Sequence, residues 1–317
     1  MRIFNLLFVG LLSCSLSSCV IDLNDPDKAL PLHQEVSFFS NLTTATKGFI
    51  LTENSLESMG VFAYTTETRK FQIGSEYTEE MYNQRMIRSK SGESVWKYAP
   101  LQFWPENETY KMSFFAYAPY STDENGITVR NTAPGEIPSI IYRVPERVEH
   151  QPDLCIAIPQ VDLTKRSPEV NFNFKHVLSC VSFFIEGAGA QIKGVAVTGV
   201  KTCGELSLGL ESEGRVGSSY DYLIRWKLDD TISERDYSAG LQFDQDQNYL
   251  TTTAEVKNIL EEDGYLMMLP QTLTSQAKII LTLADGSRKE FPLRMMTDRW
   301  QAGARYQYKL KWRGSDK

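Results

Sequence analysis

The chain has little of what most catalytic sites are built from. It holds only three histidines, His33, His150 and His176, and none has a cysteine or second histidine at metal-binding spacing. It contains no G-x-S-x-G elbow, no H-E-x-x-H and no glycine-rich phosphate loop following a strand. His176 and Ser179 are close in sequence, but that spacing is not a triad, and His176 is expected to bond backbone instead. The acid pairs Glu79-Glu80 and Glu261-Glu262 are adjacent, as on a solvated face. Basic residues are outnumbered, 33 to 40, giving a formal net charge of −7 that disfavours nucleic acid as a partner. No apolar run is long enough to span a bilayer. These absences point away from an enzyme and imply neither cofactor nor metal.

The N-terminus is informative. Arg2 precedes the apolar stretch Ile3 to Leu12, and Leu16-Ser17-Ser18-Cys19 follows. This arrangement is similar to a bacterial lipoprotein signal, with small residues at the cut and a cysteine that takes the lipid. It predicts a signal peptide over residues 1–18, diacylglycerol and palmitate at Cys19, and anchoring by acyl chains alone. Asp22, Asp25 and Asp27 make residues 19–29 an acidic tether, resembling signals that send lipoproteins to the outer leaflet of the outer membrane.

With Cys14 removed and Cys19 lipidated, Cys155, Cys180 and Cys203 remain. All three lie in apolar strand-like runs, which favours buried free thiols; a disulfide between two of them stays open. Period-two patterns dominate elsewhere. Tyr306, Tyr308, Leu310 and Trp312 share one face, with Gln307, Lys309 and Lys311 on the other. Asp285-Gly286 between apolar runs predicts a hairpin. Val170, Phe172 and Phe174 are in even phase, but Val177, Val181, Phe183 and Ile185 are in odd phase. That switch near Lys175-His176 predicts a bulge or break. Only 253–263 carries a helical pattern, from Val256, Ile259 and Leu260. The expected class is all-β with one or two short helices. The polar stretch 162–169 suggests a boundary between domains 30–167 and 168–317.

Two features resemble binding sites. Asp244, Asp246, Asn248 and Glu255 have the spacing of an EF-hand loop, but Tyr249 stands where that loop needs glycine, so the stretch reads as a polar loop. Five tryptophans and the block Phe114-Phe-Ala-Tyr-Ala-Pro-Tyr120 suit sandwich cores; Trp96 and Trp104 could alternatively form a sugar platform.

Several blocks together resemble the fimbrillin family, subunits of type V pili exported as lipoproteins. They are Gly60-Val-Phe-Ala-Tyr64, Trp96-Lys-Tyr-Ala-Pro with Phe103-Trp-Pro105, Phe114-Phe-Ala-Tyr-Ala-Pro119 and Gln151-Pro-Asp-Leu154. Phe174-Lys-His-Val-Leu-Ser179, Leu266-Met-Met-Leu-Pro-Gln271 and Trp300 to Tyr308 follow in the family's order. The resemblance implies two tandem transthyretin-like β-sandwich domains and a structural or adhesive role in a cell-surface fimbrium. It also implies assembly with other pilus subunits by strand exchange. A protease would cut between Lys47 and Gly48, releasing the lipid together with the strand Val36–Ser40, and a neighbour's strand would take its place. The alternative reading leaves Lys47 a solvated loop residue and the chain lipidated at Cys19, as a surface lipoprotein that captures glycans. A host or bacterial surface ligand fits either. The end Trp312-Arg-Gly-Ser-Asp-Lys317 is short and polar, which predicts a tip or accessory subunit that accepts a strand without donating one.

Overall fold

The structure, a computed structural model, describes residues 33–42, 51–67, 69–71, 76–88, 96–130, 136–166, 169–209, 224–229, 237–239, 249–260 and 264–313. Its strands in the first half are β1 (Ser37–Leu42), β2 (Ser58–Thr66), β3 (Thr78–Ile87), β4 (Lys111–Ala118), β5 (Ile127–Arg130), β6 (Ser139–Arg143), β7 (Cys155–Ala157), β8 (Gln160–Leu163) and β9 (Glu169–His176). The second half has β10 (Ser179–Glu186), β11 (Gln191–Thr198), β12 (Cys203–Ser207), β13 (Trp226–Leu228), β14 (Tyr237–Ala239), β15 (Leu250–Thr251), β16 (Lys257–Asn258) and β17 (Leu266–Met268). It ends with β18 (Gln271–Thr272), β19 (Lys278–Leu283), β20 (Arg288–Pro292), β21 (Arg299–Trp300) and β22 (Arg305–Lys311). The fold is all-β. Among the described residues the helical elements are single 3₁₀ turns at Glu53–Ser55, Val148–His150 and Leu293–Met295, and no helix is long and apolar enough to cross a membrane.

The first sheet runs in the order β1-β9-β7-β4-β2-β3, with β8 beside β4. Its central strands β2 and β4 are apolar almost throughout because both of their faces are covered. Met59, Val61, Met112 and Phe114 enter one core, while Phe62, Tyr64, Phe115 and Tyr117 enter another. Gly60 is required by close approach: a Cβ there would lie 2.4 Å from the Tyr117 ring. The sheet also curls until its edges meet. Ile87 at the end of β3 exchanges two backbone hydrogen bonds with Lys97, at 3.0 and 2.9 Å, and the segment 96–104 then runs alongside β1. The Ile87–Lys97 bridge and the 96–104 segment thus close the first core on the side of β1.

Two further sheets face each other in the second half. One holds β16, β10, β17 and β22; the other holds β14, β15, β11, β19 and β20. The Asp285-Gly286 hairpin joins β19 to β20 as the sequence predicts, with Gly286 at φ +84° and the Asp285 carboxylate accepting from the Ser287 amide at 2.8 Å. Both halves share a parallel pairing of first and last strands, β1 with β9 and β10 with β22.

The halves are sewn together. Strands β5 and β6 form one sheet with β12 and β13, so residues 139–143 pair with 203–207. The Gln151 carboxamide accepts from the Met267 amide at 2.7 Å and donates to the Pro145 carbonyl at 3.0 Å. The Trp226 indole donates to the Val177 carbonyl at 2.8 Å. The sheets consequently cross the boundary expected at residue 167. Strand β9 is an integral part of the first sheet, and the chain passes to the second half at the buried pair Val177-Leu178. The phase switch at Lys175-His176 is that passage, a break between β9 and β10.

The helix expected over 253–263 is not formed in its described residues, 253–260. Within it Lys257–Asn258 pairs with β10, the Ile259 amide donates to the Phe183 carbonyl at 2.8 Å, and Val256 is exposed. The Asn258 side chain accepts from the Leu260 amide at 3.1 Å and donates to the Gly264 carbonyl at 2.6 Å. Local side-chain bonding of this kind competes with a helical ladder.

Replacing Gln151 with Leu should leave the buried Met267 amide without its acceptor and cost about 1–3 kcal/mol. Chemical denaturation should show this loss, with both halves still unfolding in one transition because they share a sheet.

Candidate functional site

The extended segment that contains β1 is held on one edge over residues 37–42 and on the other over residues 34–38. On one side it pairs in parallel with β9, from Ser37 opposite Glu169 to Leu42 opposite Phe174. On the other side the 96–104 segment serves as a second wall. There Val36 donates to the Gln102 carbonyl at 3.0 Å, and the Trp104 and Trp96 amides donate to the Gln34 and Phe38 carbonyls at 2.9 and 3.4 Å. The Tyr98 hydroxyl adds a bond to the Val36 carbonyl at 2.8 Å.

The period-two pattern of this strand sends Val36, Phe38, Ser40 and Leu42 toward the core, where Val36, Phe38 and Leu42 are buried. Phe38 is the central anchor. Its ring stacks on Phe172 at 5.9 Å and meets Tyr98 and Phe114 edge-on at 5.3 and 5.7 Å. Fully burying such a ring contributes roughly 1.5–3 kcal/mol, and aromatic contacts add to it. The site is a slot one strand wide, walled by main-chain donors and acceptors and floored by aromatic rings.

The expected site residues fall unevenly on this geometry. Strand Val36–Ser40 is the occupant of the slot. Cys19, Lys47 and Gly48 lie outside the described residues, as do Asp244, Asp246 and Asn248 of the EF-hand-like spacing. Trp96 and Trp104 offer no sugar platform, being only 3% and 2% exposed. Trp104 packs edge-on against Phe114 at 5.8 Å, and Trp96 closes the end of the slot. Hydrophobicity overrides display here because both rings line the wall that seals the first core.

The histidines are dispersed. His33 packs on Phe103 at 6.2 Å between centroids, and His150 lies 3.6 Å from Glu124. His176, expected to bond backbone, meets side chains the sequence reading had not joined to it. The pairing of β7 with β9 sets Cys155 opposite His176, and Asp153 lies just before β7. His176 Nδ1 is 3.0 Å from Asp153 Oδ1 and 3.3 Å from Cys155 Sγ, and all three side chains are buried. These are the groups of metal-ligating type whose ligand atoms cluster within 4.8 Å among the described residues. The other Asp153 oxygen accepts the Leu51 amide at 3.2 Å, fixing the first residue described after β1. The arrangement is a hydrogen-bonded clamp. Only the antiparallel pairing of β7 with β9, past the intervening β8, reveals it, so sequence spacing gave no sign.

All three cysteines are free and buried. Burial pushes the Cys180 thiol up to about 11 and raises Cys155 well above its ordinary range, with the Asp153 carboxylate as a second cause. Burial likewise moves the Tyr98 and Tyr308 phenols up to about 12. The folded state thus keeps protons that the unfolded chain releases above about pH 8.5 for thiols and about pH 10 for phenols. Stability must then fall as pH rises through that window. Denaturation midpoints should decline from about pH 8.5 upward. At pH 8 the thiols should resist alkylation until the chain is unfolded.

With this geometry in place, the chain can be compared with known proteins. A family model described as fimbrillin-like matches residues 43–316. Among curated proteins none matches in sequence. Solved structures share the fold. A fimbrial protein from Bacteroides vulgatus has a TM-score of 0.54 at 17% identity, covering 88% of this chain and 96% of its own. A candidate cell adhesion protein from Bacteroides uniformis has a TM-score of 0.53 at 14% identity, covering 89% and 94%. One from Bacteroides ovatus has a TM-score of 0.50 at 12% identity, covering 88% and 92%.

Proposed function

Because the chain belongs to the fimbrillin-like family, we propose that it is a structural, adhesive subunit of a cell-surface fimbrium that accepts a neighbour's strand in place of β1. The observation that carries this reading is the seating of β1 in a slot with two main-chain walls. A strand there can be replaced by another without altering the walls, since most of its backbone bonding is independent of sequence. Residues 43–50 follow β1 and include Lys47. A cut between Lys47 and Gly48 would separate β1, and Cys19 upstream of it, from the rest of the chain.

Loss of β1 would leave one edge of β9 and the 96–104 wall unpaired and would uncover Phe114 and Phe172. Unpaired strand edges template association with another chain, and exposed aromatic surface favours it. The Asp153 carboxylate holding the Leu51 amide would keep the new N-terminal segment in place. Among the described residues the last strand, β22, is committed to its own sheet, in register with β10 over Arg305–Lys311 with Tyr308 and Leu310 buried. It is an integral strand of its own sheet and is not itself free to be donated. Before the cut, lipid at Cys19 would anchor the chain to the outer membrane.

The test is the N-terminal sequence and intact mass of the protein taken from its native cell surface. A lipid-free chain starting at Gly48 is expected, and Lys47→Ala should hold the protein in the lipidated form. Recovery only of a diacylated chain starting at Cys19 would overturn the proposal.

A further inference from the structure

The slot is not uniformly apolar. At its third inward position the Ser40 hydroxyl accepts from the Trp96 indole at 3.0 Å and from Arg88 Nη2 at 2.9 Å, and donates to Glu53 Oε1 at 2.9 Å. Arg88 also pairs with the same Glu53 oxygen at 2.5 Å, and its guanidinium lies over the Trp96 ring at 4.4 Å. The Arg88 side chain is only 3% exposed. These residues come from three separate segments, so the pocket exists only once the first core is closed.

The chemistry is restrictive. A hydroxyl has one donor hydrogen and two acceptor lone pairs, and here all three are used. A carboxamide or carboxylate is larger and does not reproduce one donor and two acceptors on a single atom. An apolar side chain would leave the Trp96 indole N–H without this acceptor and would take one acceptor from the buried Arg88 guanidinium, which keeps Glu53.

We infer that Arg88, Trp96 and Glu53 form a selectivity pocket that admits only serine or threonine at this position of a strand entering the slot. This rests on the strand-exchange reading above and names the partner more closely. The accepted strand carries an apolar residue, an aromatic residue, a hydroxyl residue and an apolar residue at alternate positions, running parallel to β9 as β1 does. The hydroxyl follows the aromatic anchor by two residues, and this asymmetry fixes both register and direction. Apolar pockets alone would let a hydrophobic strand slip by two residues; a polar pocket at one position penalises every slipped register.

The test uses the full chain, folded and then nicked within residues 43–50, so that β1 stays seated until exchanged. Labelled peptides of residues 33–42 are added in excess, with the natural sequence, Ser40→Thr, Ser40→Ala or Ser40→Leu. The natural and Ser40→Thr peptides should exchange in, and Ser40→Ala and Ser40→Leu should bind at least about tenfold more weakly. In a nicked Glu53→Met, Arg88→Met chain the preference should reverse toward Ser40→Leu. Equal uptake of the natural and Ser40→Leu peptides by the unmodified chain would overturn the selectivity pocket while leaving strand exchange intact. Failure of every peptide, the natural one included, would instead overturn the strand-exchange reading and this inference with it. The peptide series on the unmodified chain decides the matter if the double variant does not fold.

Discussion

The first core is enclosed only because β1 satisfies two rows of main-chain groups that no other described strand reaches. Strand β9 presents one row and the 96–104 segment the other, and Phe38 fills the aromatic space between them. A buried backbone amide or carbonyl without a partner is costly, so the strand and its walls are mutually obligatory. The curl of the sheet, the burial of Trp96 and Trp104, and the lodging of Arg88 against Glu53 all follow from that closure.

The second half is built differently although it repeats the parallel pairing of first and last strands. Its first strand, β10, is interior, with β22 on one side and β16 and β17 on the other. Withdrawing it would dismantle a sheet. In the first half the opening strand is peripheral to the sheet and is closed over by an irregular segment. The shared sheet of β5, β6, β12 and β13, with the Gln151 and Trp226 bonds beside it, backs the first half against the second.

Much of the strand content was legible in the sequence, because alternation on a half-buried strand is a local signal. Tyr308 and Leu310 point inward and Gln307, Lys309 and Lys311 outward, as their period requires. The Asp-Gly hairpin and the break at His176 were equally local. What escaped was set by pairing between distant segments. The pattern Val256, Ile259, Leu260 suits a helix, yet pairing with β10 and the Asn258 side chain decide that segment. The Asp153–Cys155–His176 cluster and the exchange of strands across residue 167 depend on which strands are neighbours, which hydropathy does not encode. The strand Val36–Ser40 was recognisable through family resemblance, but the role of Ser40 was not. A serine in a strand carries no mark of what its hydroxyl meets.

The parallel alignment of β1 with β9 has a mechanical consequence. A pull along the axis of a strand in this slot is directed across its lateral hydrogen bonds on both walls, so they bear the load together instead of parting one after another. Resistance then scales with the whole seated length and with the keyed side chains, above all Phe38. A strand seated there is loaded in shear.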